Sequence, residues 1–95
     1  MGQELELLEQ TVKVVNHLGL HARVATKMAQ AMQNYSCKVT LVKDDVEVSA
    51  KSVLGLLLLA AAPGTELLVR AQGPDRQKAV EEIRRLIEDE NLETS

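Results

Sequence analysis

The chain has no tryptophan, no phenylalanine and a single tyrosine among 95 residues. A core built without rings must be aliphatic. Base-stacking nucleic-acid modules are excluded as well, because Tyr35 alone supplies no platform. Cysteine is almost as scarce. Cys37 stands alone, so neither an internal disulfide framework nor an all-cysteine metal site can form. A lone thiol in an apolar context reads as a small buried hydrophobe. A basic excess is missing too: 11 Lys and Arg face 14 Asp and Glu, for a net charge of −3. Without a basic block, general nucleic-acid binding has no electrostatic footing. Long apolar runs are lacking. The longest, residues 53–62, is about half of the roughly 20 residues a membrane span needs. The start, Met1-Gly2-Gln3-Glu4-Leu5-Glu6, has no basic stretch leading into an apolar one, and Glu6 stands where a myristoylation motif requires Ser or Thr. The expectation is a cytoplasmic monomer with no membrane insertion, no cofactor and no metal.

What is present organises as one domain over residues 1–95, with a core from about 11 to 90 and frayed ends at 1–9 and 91–95. A chain of this length buries roughly 60–65% of its unfolded surface, enough for one modest core. Residues 11–15 alternate and are rich in β-branched side chains, which predicts a strand. Ala25, Met28, Ala29 and Met32 recur at helical spacing, which predicts a helix from Ala22. Residues 37–42 form a second alternating run. Asp44-Asp45 turns it back into residues 46–49 as a hairpin. Ser52 caps a helix over 53–61, ended by Pro63-Gly64. Residues 66–71 are the fourth strand. Gly73-Pro74-Asp75 opens a last helix with Pro74 at its first position, and Val80, Ile83, Leu86 and Ile87 are its apolar face. The order β-α-β-β-α-β-α is an α+β open-faced β-sandwich: a four-stranded, antiparallel-type mixed sheet with three helices on one face. The first helix joins two strands that must run parallel with another strand between them, a split β-α-β unit.

Two polar positions are not explained by a core. Gly19-Leu20-His21-Ala22-Arg23 lies where the first strand hands over to the first helix, and backbone N–H groups there lack helical partners and favour an anion. Imidazole is the side chain that ordinarily changes charge between pH 5 and 8, so His21 is a candidate phosphate acceptor. Arg23 adds a charge-assisted contact to phosphate oxygens. On these two residues alone, a plain surface histidine at a helix start is the commoner explanation. His17 reads as a solvent-exposed loop residue with no assigned role. The second position is Ser52. An N-cap explains it without regulation, but the helix behind it is apolar nearly all round. A short helix on one face of a sheet buries only one stripe, so some of its leucines must stay exposed or meet a partner. A phosphate on Ser52 would place negative charge beside that surface.

Gly19-Leu20-His21-Ala22-Arg23, together with Ala50-Lys51-Ser52-Val53-Leu54-Gly55, resembles HPr, the histidine-containing phosphocarrier family of the bacterial phosphotransferase system. The resemblance runs from about Val12 to Glu90 and includes the element order. It implies a carrier that takes a phosphoryl group from enzyme I, itself charged by phosphoenolpyruvate, and passes it to an enzyme IIA. The matching acceptor is His21, at Nδ1. Arg23 matches the motif's arginine, with the backbone amides of Ala22 and Arg23 cradling the phosphate. Ser52 matches the serine modified by HPr kinase/phosphorylase in many bacteria. Val53, Leu54 and Leu57 match the partner-docking surface. Three departures stand out. Val24 replaces the proline many members carry after the arginine. Leu18 replaces a polar residue that reaches the phosphate in some. The first strand is expected to begin late, leaving a short acidic extension.

Such a carrier is covalently modified but is an intermediate and not an enzyme. A histidine-nucleophile enzyme lacks an accompanying base and oxyanion donors in this sequence. Two alternatives remain: a regulatory-only phosphorelay without sugar transport, and a small ligand-binding regulatory module on a ferredoxin-like frame. The latter shares the element order, although its metal-carrying versions use a Cys-x-x-Cys loop absent here.

Overall fold

Alternating β-branched and apolar residues become strands whose every second side chain reaches one face of a sheet. The computed structural model describes residues 6–88. Its elements run β1 (Leu7–Lys13), α1 (Ala22–Met32), β2 (Lys38–Lys43), β3 (Val46–Ser49), α2 (Val53–Leu58), β4 (Glu66–Gln72) and α3 (Arg76–Glu88). The strands lie in the order β1-β4-β2-β3 and every neighbouring pair is antiparallel. β1 and β2, joined through α1, therefore run parallel with β4 between them, the split unit that the element order implies.

Register decides which face is buried. Val12 lies opposite Leu67, Val39 opposite Ala71 and Leu41 opposite Val69, and all six are buried. They meet Val24, Ala25, Met28 and Met32 from α1 and Val80 and Ile83 from α3 in one aliphatic core. The other face carries the polar set. There Arg70 on β4 reaches Glu9 on β1 at 2.8 Å and Glu47 on β3 at 3.3 Å, and Thr40 Oγ1 donates to Glu47 at 2.6 Å. The helices thus cover one face, as the α+β open-faced sandwich requires.

Several element boundaries differ from the sequence expectation. β1 spans Leu7–Lys13, not 11–15, and pairs with β4 along its whole length. The expected fraying of residues 6–9 and the late strand start are therefore overturned, while residues 1–5 and 91–95 lie outside the described residues. The inward positions are Leu8, Gln10 and Val12, and polar Gln10 at the second of them hides the alternation. α2 ends at Leu58, not Ala61, because Ala60 turns the chain at φ 49° and Lys43 Nζ donates to the carbonyls of Leu59 at 3.1 Å and Ala60 at 3.5 Å. β2 begins at Lys38 and not at Cys37. Pro74 precedes α3 instead of opening it, since the helix starts at Arg76.

That last shift frees Asp75 for a longer-range task. Its carboxylate accepts the Ser36 N–H at 2.8 Å and the Cys37 N–H at 2.9 Å, pinning the start of α3 to the chain before β2. Gly73 makes the approach possible. It sits at φ 139°, and a Cβ there would fall 2.8 Å from Cys37 Cα. A second tie lies nearby: Tyr35 OH donates to Glu82 on α3 at 2.6 Å, which with partial burial pushes the phenol up to about 12. Cys37 is buried, and loss of solvent, with the adjacent Asp75 adding to it, pushes its thiol up to about 11. A neutral, enclosed thiol is a poor nucleophile. Native protein is therefore expected to leave Cys37 unlabelled by a thiol-disulfide reagent at neutral pH, with full labelling after denaturation.

The Ser36 amide, backed by that of Cys37, holds the Asp75 carboxyl below its ordinary 3.8. The folded state thus prefers ionised Asp75 more than the unfolded state does. This contribution is complete above the unfolded value, shrinks as the unfolded chain takes up its proton first, and is gone once the folded carboxyl is protonated as well. The melting temperature of the parent should fall as pH drops from about 5 toward 2, and Asp75→Asn should start lower and fall less over that window. Parallel acid limbs would show that the carboxylate does not hold this junction.

Candidate functional site

Between β1 and α1 the chain must reverse and deliver a helix start to the edge of the core. Val14 stays tied to the far side of the turn before β4, donating to Thr65 O at 2.9 Å and accepting from Gly64 N at 2.7 Å. Asn16 then makes a tight turn: its Oδ1 accepts from Leu18 N at 3.0 Å and its carbonyl from Gly19 N at 2.9 Å. Gly19 stands at φ 74°, a left-handed conformation, with its backbone pressed on the segment after α2. A Cβ on Gly19 would lie 2.5 Å from Ala61 O, and Leu20 N donates to that same carbonyl at 2.8 Å. The loop is thus held at both ends by backbone hydrogen bonds.

His21 is the N-cap residue of α1, extended at φ −96° and ψ 179°. Its carbonyl accepts from Ala25 N at 2.9 Å, so the helix starts at Ala22. Ser, Thr, Asp or Asn ordinarily supplies a side-chain acceptor at this position. Here the ring does so, with Nδ1 accepting from Arg23 N at 3.3 Å. A nitrogen that accepts an N–H carries no proton, so the neutral ring holds its proton on Nε2, which is buried without a hydrogen-bond partner among the described residues. The nucleophilic lone pair is therefore on Nδ1, at the positive end of an 11-residue helix. No acidic residue occupies the first turn, and exposed Arg23 adds a cation where carboxylates usually stabilise a helix. That charge pattern disfavours the isolated helix and favours an arriving anion. Ala22 is exposed beside it, while Val24 is 2% exposed and belongs to the core.

α2 adds an apolar surface. Ser52 caps it, Oγ accepting from Gly55 N at 3.0 Å. Gly55 lets the helix lie close to β3, since a Cβ would meet Val48 Cβ at 3.1 Å. Leu56 and Leu59 are buried and Val53 is half-buried against the core, whereas Leu54 (71% exposed), Leu58 (68%) and Leu57 (38%) face outward. Leu54 and Leu57 are thus where the sequence places an open surface. Val53 turns largely inward, and Leu58 is the residue that sequence reasoning passed over; its spacing of two from buried Leu56 marks it as outward. Leu18, 61% exposed, sits on the loop that bonds to Ala61 beyond α2. Asn16 was also passed over: it is 3% exposed, the one buried polar side chain among the described residues. Its signal was the Asn-x-x-Gly spacing of a side-chain-stabilised turn.

A small α+β sandwich that offers one imidazole nitrogen at a helix N-terminus, with an arginine and an apolar helix alongside, is the frame of a phosphoryl carrier. The sequence pattern described as "PTS HPr component phosphorylation site" matches residues 8–89. The phosphocarrier protein HPr of Treponema pallidum is 39% identical over 82 residues, covering 86% of this chain and 93% of the relative. The crystal structure of HPr-C-His from Thermoanaerobacter tengcongensis superposes with a TM-score of 0.82 at 31% identity, over 93% of this chain and 97% of that one. The Bacillus subtilis catabolite-repression protein Crh, crystallised as a domain-swapped dimer, gives 0.70 at 38% identity over 87% of this chain and 95% of its own. The chain belongs to the HPr family, the phosphocarriers of the bacterial phosphotransferase system. Among the described residues, no helix is long and apolar enough to cross a membrane.

Gly19→Ala tests the loop's clamp. The added methyl meets Ala61 O at 2.5 Å in a conformation that L side chains rarely adopt. A loss of about 1–3 kcal/mol in denaturant unfolding is expected, and a change near zero would show that the loop moves freely off Ala61.

Proposed function

We propose that His21 accepts the phosphoryl group on Nδ1 from enzyme I and hands it to an enzyme IIA. The observation that carries this reading is the contact of Nδ1 with the Arg23 amide at the start of α1. In the transfer, the Nδ1 lone pair forms the N–P bond. The bond from phosphorus to the donor breaks, and its electron pair stays with the donor. The Arg23 N–H that faced the lone pair then faces a phosphoryl oxygen, with the Ala22 N–H beside it. One acceptor replaces another, so no helix amide is stranded in either state. The guanidinium of Arg23 balances charge on the phosphoryl oxygens during in-line transfer. A carrier must release what it binds. A few amides and one cation at an exposed helix start stabilise the phosphoryl group without trapping it.

Leu54, Leu57 and Leu58, with half-buried Val53 beside them, form the docking surface in this reading, and exposed Leu18 adds an apolar side chain on the loop before His21. Small apolar areas give weak, fast exchange between successive partners. The carrier works as a monomer in the cytoplasm, as an intermediate and not as a catalyst. Incubation with enzyme I and radiolabelled phosphoenolpyruvate should give an acid-labile label that is absent from His21→Ala. Label retained in His21→Ala would end the assignment. Arg23→Ala should keep its fold and lower the transfer rate by about tenfold, the factor for one charge-assisted contact; an unchanged rate would remove Arg23 from the mechanism.

Ser52 is proposed as a regulatory site for an HPr kinase/phosphorylase. Its hydroxyl already caps α2, so phosphate there would place two negative charges beside the leucines that dock. Ser52→Ala should cost about 1 kcal/mol in unfolding through the lost cap and leave transfer intact. Ser52→Asp keeps an acceptor for the cap and should slow uptake from enzyme I. Uptake by Ser52→Asp at the parental rate would leave Ser52 as a cap only.

A further inference from the structure

The residue least expected on stability grounds is Asn16. It is 3% exposed, and of its side-chain groups only Oδ1 is paired, with Leu18 N at 3.0 Å, while Nδ2 is buried and has no partner among the described residues. Burying an amide with a donor left over disfavours folding. An apolar residue of similar volume would remove that loss, so the side chain is better explained by what its one used atom holds.

Oδ1 and the Asn16 carbonyl close the turn that carries Leu18 and Gly19. The Gly19 carbonyl in turn accepts from His21 N at 3.0 Å, and Leu20 N is fixed to Ala61 O at 2.8 Å. His21 then places Nδ1 against Arg23 N. From the buried amide to the His21 ring nitrogen, local hydrogen bonds at residues 16, 18, 19, 21 and 23 are thus joined through the peptide between Leu18 and Gly19. We propose that Asn16 is a positioning residue: its Oδ1 sets the turn that orients the His21 ring so that Nδ1, and not Nε2, meets the helix N-terminus. This rests on His21 being the acceptor. Asn16 touches neither the phosphoryl group nor the partner and acts through the loop.

Two readouts separate positioning from mere support of the fold. The first is the ring itself: nitrogen NMR of the full chain labelled at histidine, at a pH where both rings are neutral, with His17 assigned by substitution. The parent ring of His21 should be in the Nε2–H form. Asn16→Ala should move it toward a mixture of tautomers, while Asn16→Ser, whose hydroxyl can accept from the same N–H, should restore it. The second is the kinetics of uptake from enzyme I. With enzyme I as the catalyst and the carrier as its substrate, Asn16→Ala should lower kcat about tenfold with KM for the carrier unchanged within about twofold, since the leucine surface is untouched. Asn16→Ser should recover most of kcat. Val69→Ala, a core substitution on β4 remote from the loop, should leave both readouts parental.

A parental tautomer or a parental kcat in folded Asn16→Ala overturns the proposal, as does a Val69→Ala variant that reproduces the loss. Should Asn16→Ala not fold, Asn16→Ser decides: a parental ring and kcat support the acceptor role of Oδ1, and their loss contradicts it. A parent that takes up no phosphoryl group at all would instead strike the acceptor assignment, and the ring tautomer would still decide whether Asn16 orients His21.

Discussion

The first amides of an α-helix point out of its end with no carbonyl to accept them, and in this protein an imidazole takes one of them. Almost everything else at the site follows from that contact. Because Nδ1 of His21 accepts from Arg23 N, the ring's proton is confined to Nε2, the lone pair is fixed in direction, and that nitrogen sits in the field of the α1 dipole. A serine or aspartate would cap the helix as well but offers no nitrogen lone pair. In the proposed transfer the cap and the nucleophile are one atom, so a phosphoryl group arriving there would inherit a donor already in place.

That contact depends on a loop whose backbone is held from outside. Leu20 and Gly19 lie on Ala61, which follows α2, and Lys43 from β2 binds the carbonyls of Leu59 and Ala60 just before it. The loop before His21 and the leucine-bearing helix are therefore tied together through this short segment of chain. On the proposed reading, a partner seated on Leu54, Leu57 and Leu58 would meet His21 in a fixed geometry. In-line transfer between two protein surfaces needs this more than it needs affinity. The sheet supplies the rigid base, with β4 at its centre pairing β1 on one side and β2 on the other.

Much of this was legible in the sequence because the informative residues are local. The alternation of Val39, Leu41, Leu67 and Val69 and the 3.6-residue recurrence of Ala25, Met28 and Met32 gave the sheet, α1 and the split topology directly. The Gly-Leu-His-Ala-Arg run and the Ser52 run pointed to the family. What failed to read did so for identifiable physical reasons. β1 was cut short because Gln10 holds an inward position near the sheet edge, where partial solvent access tolerates a polar residue. The end of α2 was missed because its leucines continue past the point where Ala60 adopts φ 49° and a lysine from another strand takes the carbonyls. Asp75 looked like a helix-start carboxylate, yet its partners, Ser36 and Cys37, are nearly forty residues away and leave no local trace. The same holds for Val53 and Leu58: which leucine of an all-apolar helix faces out depends on where the sheet lies beneath it.

The most direct test of this account is the identity of the modified nitrogen. After transfer from enzyme I, phosphorus–nitrogen coupling in the histidine-labelled chain should locate the phosphoryl group on Nδ1 of His21, the atom that caps α1. Phosphate on Nε2, on His17, or on no histidine would contradict the claim that the helix cap and the nucleophile are the same atom.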